Sequence, residues 1–465
     1  MSVTDSAANI VATLGELKAA GNKVSSIQLN DANTPATLSL SQAQWTAQQP
    51  VLAKIASNYN VAVSGVGAAL AAAVASDTRV ASLTVNDTTA SINVNLAALQ
   101  GLGPQLLSIT PSETGTPPAM SLTAAQRSAY ADALGKITDG RYTLRVTAAS
   151  VDDAQDMAQD SQVSRISVLD TSANIASHLS ELNANGKLGT ITQAGTPAPL
   201  SISADLYAAS TATLAKFSQG YSLQLSDAST ANAADLQANA HVTGFTVADT
   251  SSHVNSALAT LAGLDKLGQI TLTQDDGPIS VTQTQLDTWA DTLALINGGK
   301  HLHVTDVTMA NFDAIAQTPD VSAISLSASS QELSSHFDSL VTQADTLARI
   351  DLTDVSTPIA LTHDQYLQGA GVLAQMQGDY QLALVDVKAQ NATDLAAQSH
   401  VSTVSVADTS ANISAHFDEL MALGSQLDII EPTDTDPIVL TQAQIDAAGA
   451  DGMQKIMGSY EVLVA

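Results

Sequence analysis

The residues best suited to chemistry in this sequence are carboxylates that lie close together in turns. Asp275 and Asp276 are adjacent, and Asp434 and Asp436 flank a single threonine. Hard cations such as Ca²⁺ take oxygen ligands, so these two acidic turns are the candidate metal sites. Calcium is the only cofactor that the sequence suggests.

Two histidines form a weaker candidate site, because His301 and His303 would project from the same side of a predicted strand. Transition-metal sites in proteins normally use three or more side chains, so a pair is not enough by itself. The sequence also has no cysteine and none of the common catalytic motifs: no G-x-S-x-G, Walker loop, H-E-x-x-H or glycine-rich dinucleotide turn after a strand. We therefore interpret the chain as non-enzymatic.

A third set of carboxylates recurs at steps of 79 to 83 residues within the phrase V-x-D-T-x-A-N-I or a close variant. Its members are Asp5, Asp87, Asp170, Asp249 and Asp408, and Ala328 takes the aspartate position in a degenerate copy. Each aspartate separates a predicted strand from a predicted helix, so we interpret the set chiefly as helix caps. The alternative hypothesis is that rows of these oxygens bind calcium.

The repetition predicts the domain organisation, since periods of this size are typical of stacked units that share a core. The predicted units are residues 1–84, 85–167, 168–246, 247–325, 326–405 and a shorter sixth unit, 406–465. No Gly/Ser-rich or Pro-rich linker separates them. One continuous solenoid is the favoured arrangement, and six small domains threaded like beads is the alternative.

Each unit is predicted to contain three strand-to-helix steps. In the third unit Ile166 and Val168 alternate with polar residues in a strand, and Ile175, Leu179 and Leu182 then share one face of a helix. A second helix begins at an S/T-x-x-Q capping box, such as Thr362 with Gln365. Strands connected by helices are usually parallel. The predicted fold class is therefore α/β, a repeat solenoid of short parallel strands alternating with helices.

Composition limits the partners of the chain. Its 465 residues carry 16 basic and 45 acidic side chains, a formal charge of −29. Such a charge argues against nucleic acid and anionic membranes as partners. The most apolar short stretch, residues 68–75, is far below the roughly 20 residues that span a bilayer. The first ten residues also lack the features of a cleaved secretory signal, so export would proceed without one.

The two ends of the chain predict self-assembly. A solenoid normally shields its terminal cores with polar repeats, whereas here apolar core positions continue to both ends. The predicted contact residues are Val3, Ile10, Ile413, Phe417, Val462 and Val464. Head-to-tail stacking of copies would bury them, and such a non-closing contact produces a filament.

The repeat resembles those of large acidic secreted proteins of alphaproteobacteria, of the hemolysin-type or calcium-binding kind. The resemblance rests on V-x-D-T-x-A-N-I together with I-x-L-T-D, P-I-x-L-T-x-x-Q and Y-x-L-x-V-x-D, and it spans nearly the whole chain. It implies type I secretion and a place at the cell surface or in the extracellular matrix. The function expected is a structural protein that assembles into a surface fibre, surface layer or biofilm scaffold. The alternative is an adhesin-like module that presents a polar sheet face to a glycan or a protein.

Overall fold

The computed structural model describes residues 1–33 and 35–465 and confirms the predicted α/β class. The chain forms two compact units, Met1–Ser226 with Ala240–Thr243, and Asp227–Asn239 with Gly244–Ala465. Short strands alternate with short helices throughout both units, as the spacing of apolar residues predicts.

The strands are two to eight residues long. They are β1 (Ser2–Asp5), β2 (Ser26–Leu29), β3 (Ala36–Ser41), β4 (Tyr59–Val66), β5 (Val80–Asp87), β6 (Leu106–Pro111), β7 (Met120–Thr123), β8 (Leu144–Ala149), β9 (Val163–Asp170), β10 (Leu188–Gln193), β11 (Leu200–Ser203), β12 (Leu223–Ala228), β13 (Val242–Asp249), β14 (Leu267–Leu272), β15 (Ile279–Thr282), β16 (Ile296–Asn297), β17 (Leu302–Thr308), β18 (Val321–Ala328), β19 (Leu347–Leu352), β20 (Ile359–Thr362), β21 (Met376–Gln377), β22 (Leu382–Val387), β23 (Val401–Asp408), β24 (Leu427–Pro432), β25 (Ile438–Leu440) and β26 (Val462–Val464).

The helices are four to thirteen residues long. They are α1 (Ala7–Ala12), α2 (Leu14–Ala20), α3 (Gln42–Ala47), α4 (Gln49–Leu52), α5 (Ala71–Ala75), α6 (Thr89–Gly101), α7 (Ala124–Ala129), α8 (Ala131–Gly135), α9 (Val151–Ala158), α10 (Ser172–Ser177), α11 (Leu179–Ala184), α12 (Ala204–Ala209), α13 (Thr211–Leu214), α14 (Ala233–Ala238), α15 (Ser251–Leu261), α16 (Gln283–Thr288), α17 (Ala290–Ala294), α18 (Met309–Ala316), α19 (Ser330–Thr342), α20 (His363–Gln368), α21 (Ala370–Leu373), α22 (Ala392–Ala396), α23 (Ser410–Ala415), α24 (Phe417–Ala422) and α25 (Gln442–Gln454).

Parallel pairing joins these strands into several separate sheets. The first unit contains β1-β2, β3-β4-β5-β6, β7-β8-β9-β10 and the pair β11-β12. The second unit contains β13-β14-β16, β15-β17-β18-β19-β21, β20-β22-β23-β24 and β25-β26.

Four strand positions recur in this order, and we name them A, B, C and D. In the sheet β3-β4-β5-β6, for example, β3 is the A strand and β6 the D strand. The A strand follows the proline turn, where the sequence predicts only a brief extended piece, so the repeat contains one more strand than the three predicted. Because A and B come from one sequence repeat and C and D from the next, the sheet β3-β4-β5-β6 combines strands of two consecutive repeats.

Each sheet buries one face and exposes the other. In β3, for instance, alternate side chains are buried and exposed along the whole strand. The helices supply the other half of the core: Ile175 of α10 and Leu179 and Leu182 of α11 are at most 3% exposed. The single helix predicted for these residues is broken at His178, whose φ is −113°, although all three are buried as predicted. The predicted capping boxes are present too, at Ser41, Thr123, Thr282, Thr362 and Thr441.

A bulge interrupts every inner B strand at one position, and its residue has a positive φ. The residues concerned are Gly65, Ala148, Asp227, Asp306 and Asp386. The extra residue shifts the register between B and C, for example between Val63 and Val66 of β4. Hydroxyl groups of C strands close two of these bulges, because the Oγ1 atoms of Thr84 and Thr246 accept the N–H groups of Gly65 and Asp227 at 3.2 Å.

Candidate functional site: repeated corners, open sheet faces and terminal strands

The recurring aspartate lies at the corner where each C strand turns into a helix. At Asp170, one carboxylate oxygen accepts the backbone N–H of Thr171 at 2.7 Å and the side-chain amide of Asn174 at 2.9 Å. The other oxygen accepts the N–H of Val151, 19 residues earlier, at 2.9 Å. Thr171 itself is the N-cap of α10. The aspartate therefore accepts hydrogen bonds at the starts of two helices and connects them, instead of capping one helix.

The same bond across 19 residues is present at every inner aspartate of the set. Asp87, Asp249 and Asp408 accept the N–H groups of Ala68, Thr230 and Ala389 at 2.9 to 3.0 Å. Burial acts to raise the pKa of Asp249, but hydrogen bonds from Thr230, His253 and Thr250 outweigh it and lower the pKa to about 2. These carboxylates are charged and already bonded in the fold, which supports a structural role.

The predicted calcium ligands lie in the loops that follow β14 and β24. Asp276 accepts the hydroxyl of Ser251 and the N–H of Ser252, both at 2.8 Å, at the start of α15. Asp434 accepts the N–H of Ser410, at the start of α23, at 3.2 Å. Hydrogen bonds from the Ser252 N–H and the Ser251 hydroxyl lower the pKa of Asp276. Two of the four candidates thus hold helix starts.

The remaining candidates do not assemble into a metal site within residues 1–33 and 35–465. Asp275 lies 3.3 Å from the Nε2 atom of His301, and Asp436 is exposed. His303 contacts the hydroxyl of Ser325 at 2.8 Å, so the two histidines have different partners. In that part of the chain no three His, Cys, Asp or Glu side chains are grouped as metal ligands.

Shallow grooves beside the second helix of the repeat recur at equivalent places. One groove of about 420 Å³ is lined by Tyr366 and by Tyr380, whose ring stacks on that of His400 with centroids 4.1 Å apart. The equivalent groove of another repeat presents Lys300 and Asp320 instead. Since the side chains change from repeat to repeat, the grooves share no common binding chemistry.

The terminal strands expose side chains whose counterparts are buried elsewhere. Val464 of β26 occupies the position of Leu384 in β22; it is 58% exposed, whereas Leu384 is 0% exposed. Met1, next to β1, corresponds to Leu83 of β5; Met1 is 73% exposed and Leu83 1%. These differences mark two apolar surfaces, one at each end of the described chain.

The predicted assembly residues divide into two groups. Ile10, Ile413 and Phe417 are at most 1% exposed, so they offer no surface to a second copy. Val3 and Val462 are half-buried, and Val464 is exposed. Met1 and Leu463 are exposed at the same ends and belong with this second group.

A pair of arginines on an open sheet face is the feature that the sequence interpretation missed. Arg145 of β8 and Arg165 of β9 are direct partners in the parallel ladder, and both are exposed. The available signal was their position: each directly precedes an inward apolar residue of a strand, Val146 or Ile166, in a chain with only 16 basic residues. Their adjacency could not be found without the register between the two strands.

Comparison of the chain with models of protein families, with curated proteins and with solved structures found no match. A search for long apolar helices likewise found none able to cross a bilayer in residues 1–33 and 35–465. The functional interpretation therefore depends on the geometry of the chain itself.

Proposed function

We propose that this protein is a non-enzymatic extracellular structural protein whose copies associate head-to-tail into a fibre, surface layer or matrix scaffold. The observation that carries the proposal is the exposure of Val464 and Met1, at positions that inner repeats keep buried. Covering such apolar surface is favourable by about 25 cal/mol per Å². A second copy is the partner that would bring the matching surface.

The two terminal surfaces are complementary in kind. β26 is a B strand and β1 is a C strand, and each has one edge without a partner strand in the described chain. Inner sheets pair B with C; in the sheet of β22 and β23, for example, Leu384 lies opposite Val404. In that register Val464 of one copy would lie opposite Met1 of the next. The strand overlap is short, so side-chain burial supplies most of the attraction.

The C-terminal surface also has an apolar row on its open face. Val439 and Leu463 are partners across β25 and β26, and they are 45% and 47% exposed. Near β1, Val3 and Leu17 are half-buried on the core side of the sheet; the counterparts of Leu17 in later repeats, such as Leu99, are at most 3% exposed. Among the described residues, core positions are thus uncovered at the N-terminal surface, whereas the apolar row of Val439 and Leu463 lies on the outward face.

The decisive experiment compares polymer formation by the purified chain and by Val464→Asp. We expect the parent chain to form elongated assemblies in electron micrographs and a concentration-dependent rise in sedimentation coefficient. Val464→Asp should weaken association at least tenfold, because a charge would be buried in the contact. Val94→Asp is the matched control, since Val94 is 82% exposed on α6, away from the terminal strands.

Two outcomes would overturn the proposal. One is a monodisperse parent chain at high concentration, with or without calcium. The other is equal association by Val464→Asp and Val94→Asp.

A second candidate function, an adhesin-like module, is favoured by the open sheet faces. The outward residues of β3 and β7, such as Ser39 and Ser121, are exposed and carry hydroxyl groups. Such faces suit a glycan or a protein partner better than they suit a hydrophobic core. Retention of discrete, unassembled chains on cells or immobilised glycans would support this function over assembly.

A further inference from the structure

The arginine pair has no structural explanation in its own sheet. Arg145 and Arg165 lie directly opposite each other on neighbouring strands, which are about 4.8 Å apart. Like charges opposite each other destabilise a sheet. Placing two guanidinium groups side by side therefore works against folding.

Equivalent positions in other repeats show that the fold does not need these arginines. The corresponding partners are Ala62 and Ser82 in one sheet, and Ala383 and Thr403 in another. Small residues at these positions support the same parallel ladder. The pair is thus a special feature of the sheet β7-β8-β9-β10.

No carboxylate of the described chain neutralises the pair, although the protein has 45 acidic residues. Among residues 1–33 and 35–465, arginine ion pairs are formed by Arg79, Arg127 and Arg349, each with an aspartate. The side chains of Arg145 and Arg165 have neither an ion-pair nor a hydrogen-bond partner there. Their guanidinium groups remain available to an external anion.

The neighbouring D strand makes room for one of the two side chains. A Cβ atom on Gly189 of β10 would lie only 3.0 Å from Cγ and 3.2 Å from Cδ of Arg165. Glycine at this position lets the Arg165 side chain lie flat across β10. The corresponding residue of β6 is Leu107, which follows Leu106 as Gly189 follows Leu188. Glycine also occupies this position in β14, as Gly268 after Leu267, so Gly189 leaves space for the Arg165 side chain without being specific to it.

We infer that Arg145 and Arg165 form a binding site for the carboxylate groups of an acidic, uronate-containing polysaccharide. Planar guanidinium groups bind carboxylates through paired, charge-assisted hydrogen bonds. The exposed Ser121, the β7 partner of Arg145, presents a hydroxyl group beside the pair on the same open sheet, which suits the hydroxyl groups of sugars. The hydroxyl groups of Thr147 and Ser164 donate to the carbonyls of Leu122 and Leu144, so toward a sugar they can act only as acceptors. The inference does not depend on head-to-tail assembly, so either can fail without the other.

The flexibility of a sugar chain favours a glycan over a second copy at this site. The net charge of −29 repels every polyanion as a whole molecule, a second copy and an acidic glycan alike. A flexible sugar chain can still place a few carboxylates on the patch, and at physiological salt charges more than about 8 Å away are largely screened. The site should consequently bind the glycan less tightly as salt is raised.

The test is calorimetric titration of the full-length protein with oligogalacturonate, a pure uronate polymer, with neutral dextran and dextran sulfate as comparison probes. We expect binding of oligogalacturonate and no binding of dextran. The double variant Arg145→Gln/Arg165→Gln should lose at least about tenfold in affinity, and the lysine pair Arg145→Lys/Arg165→Lys about threefold, since lysine keeps the charge but not the paired geometry.

The control is Arg349→Gln, which removes one of the two charges that the double variant removes, from an exposed arginine of β19 that is already paired with Asp351 at 2.7 Å. Its affinity should equal that of the parent chain. The glutamine double variant should fold at least as stably as the parent, because it relieves a like-charge contact. A thermal melt therefore separates lost binding from lost folding.

Several results would overturn the inference. These are failure of the parent chain to bind oligogalacturonate, binding of dextran sulfate alone, or an equal loss of affinity in Arg349→Gln. A double variant that binds oligogalacturonate normally but sediments differently would identify a second copy as the occupant instead. Val464→Asp should bind oligogalacturonate as the parent does, which separates this site from the assembly surface.

Discussion

Two corners of the second unit, at Asp408 and at Ala328, make the same strand-to-helix turn with different chemistry. Asp408 binds the N–H of Thr409 and the side chain of Asn412, both at 2.8 Å, and the N–H of Ala389 at 3.0 Å. At the other corner Glu332 accepts the N–H of Ser329 at 2.8 Å, in a capping box that serves one helix only.

The comparison of the two corners shows what the repeated aspartate contributes to the fold. Asp408 connects the start of α23 with the helical turn at Ala389, so one carboxylate fixes two connections that are distant in sequence. At the Ala328 corner the equivalent residue is Met309, whose N–H has no side-chain acceptor in the part of the chain that the structure describes. The capping box of Glu332 replaces the bonds that the aspartate makes at the start of its own helix. It does not replace the bond that connects this helix to the earlier helical turn, as Asp408 does through Ala389.

Removing Asp408 should have the largest effect. Asp408→Ala leaves three donors without their acceptor, and we expect it to lower the free energy of unfolding by about 3 kcal/mol. Urea denaturation followed by circular dichroism measures the loss, and amide exchange at Ala389 should accelerate. Asp379→Ala, at an exposed loop aspartate, is the control and should change stability by less than about 0.5 kcal/mol. Equal effects of the two variants would contradict the coupling role.

Acid should remove the stabilisation that the charged carboxylate of Asp249 gives to the fold. Its pKa is lowered to about 2 in the folded chain, against an ordinary value of 3.8. A lowered folded-state pKa means that the stabilisation is complete above about pH 4 and disappears as the pH falls towards 2. We expect the parent chain to exceed Asp249→Asn by about 2 kcal/mol at pH 7 and by almost nothing at pH 2.

The measurement is a pair of urea titrations at each of several pH values. Asp265→Asn, at an exposed aspartate of the same unit, should match the parent at every pH. A difference between the parent and Asp249→Asn that persists unchanged at pH 2 would show that shape, not charge, matters at this corner.

Much of the fold could be predicted because its determinants are local. The apolar spacing of Ile175, Leu179 and Leu182 defines the helix face, and Thr362 with Gln365 defines a capping box within four residues. Helix starts and inward strand positions depend on near neighbours in sequence. They need no knowledge of which strand pairs with which.

The remaining features depend on contacts distant in sequence. The bond from Val151 to Asp170 spans 19 residues and has no local signature, so the aspartates were interpreted as simple caps. The pairing of Arg145 with Arg165 requires the register of two strands, each of which contains a bulge. The burial of Ile10 and Phe417 depends on which elements their helices contact, β3 for α1 and both α22 and α25 for α24. Periodicity alone contains none of this information.

The smallest predicted effect rebuilds the aspartate corner where it is absent. Ala328→Asp alone should lower stability by about 1 kcal/mol, because the new carboxylate would lie four residues before Glu332 and repel it. Ala328→Asp/Glu332→Asn reproduces the arrangement of Asp408 and Asn412, and should instead raise stability by about 1 kcal/mol over the parent. Thus the sign of the Ala328→Asp effect should depend on residue 332.

A double-mutant cycle in urea tests this dependence, with Glu332→Asn alone as the fourth member. Glu332→Asn should lose about 1 kcal/mol, since it removes the capping box at Ser329 without supplying the aspartate. Additive effects would show that the corner at Ala328 cannot hold a carboxylate between two helix starts. The connection of two helix starts by Asp408 would then require more than the aspartate and asparagine of the repeated phrase. A coupling free energy of about 2 kcal/mol or more would show that those two residues are sufficient.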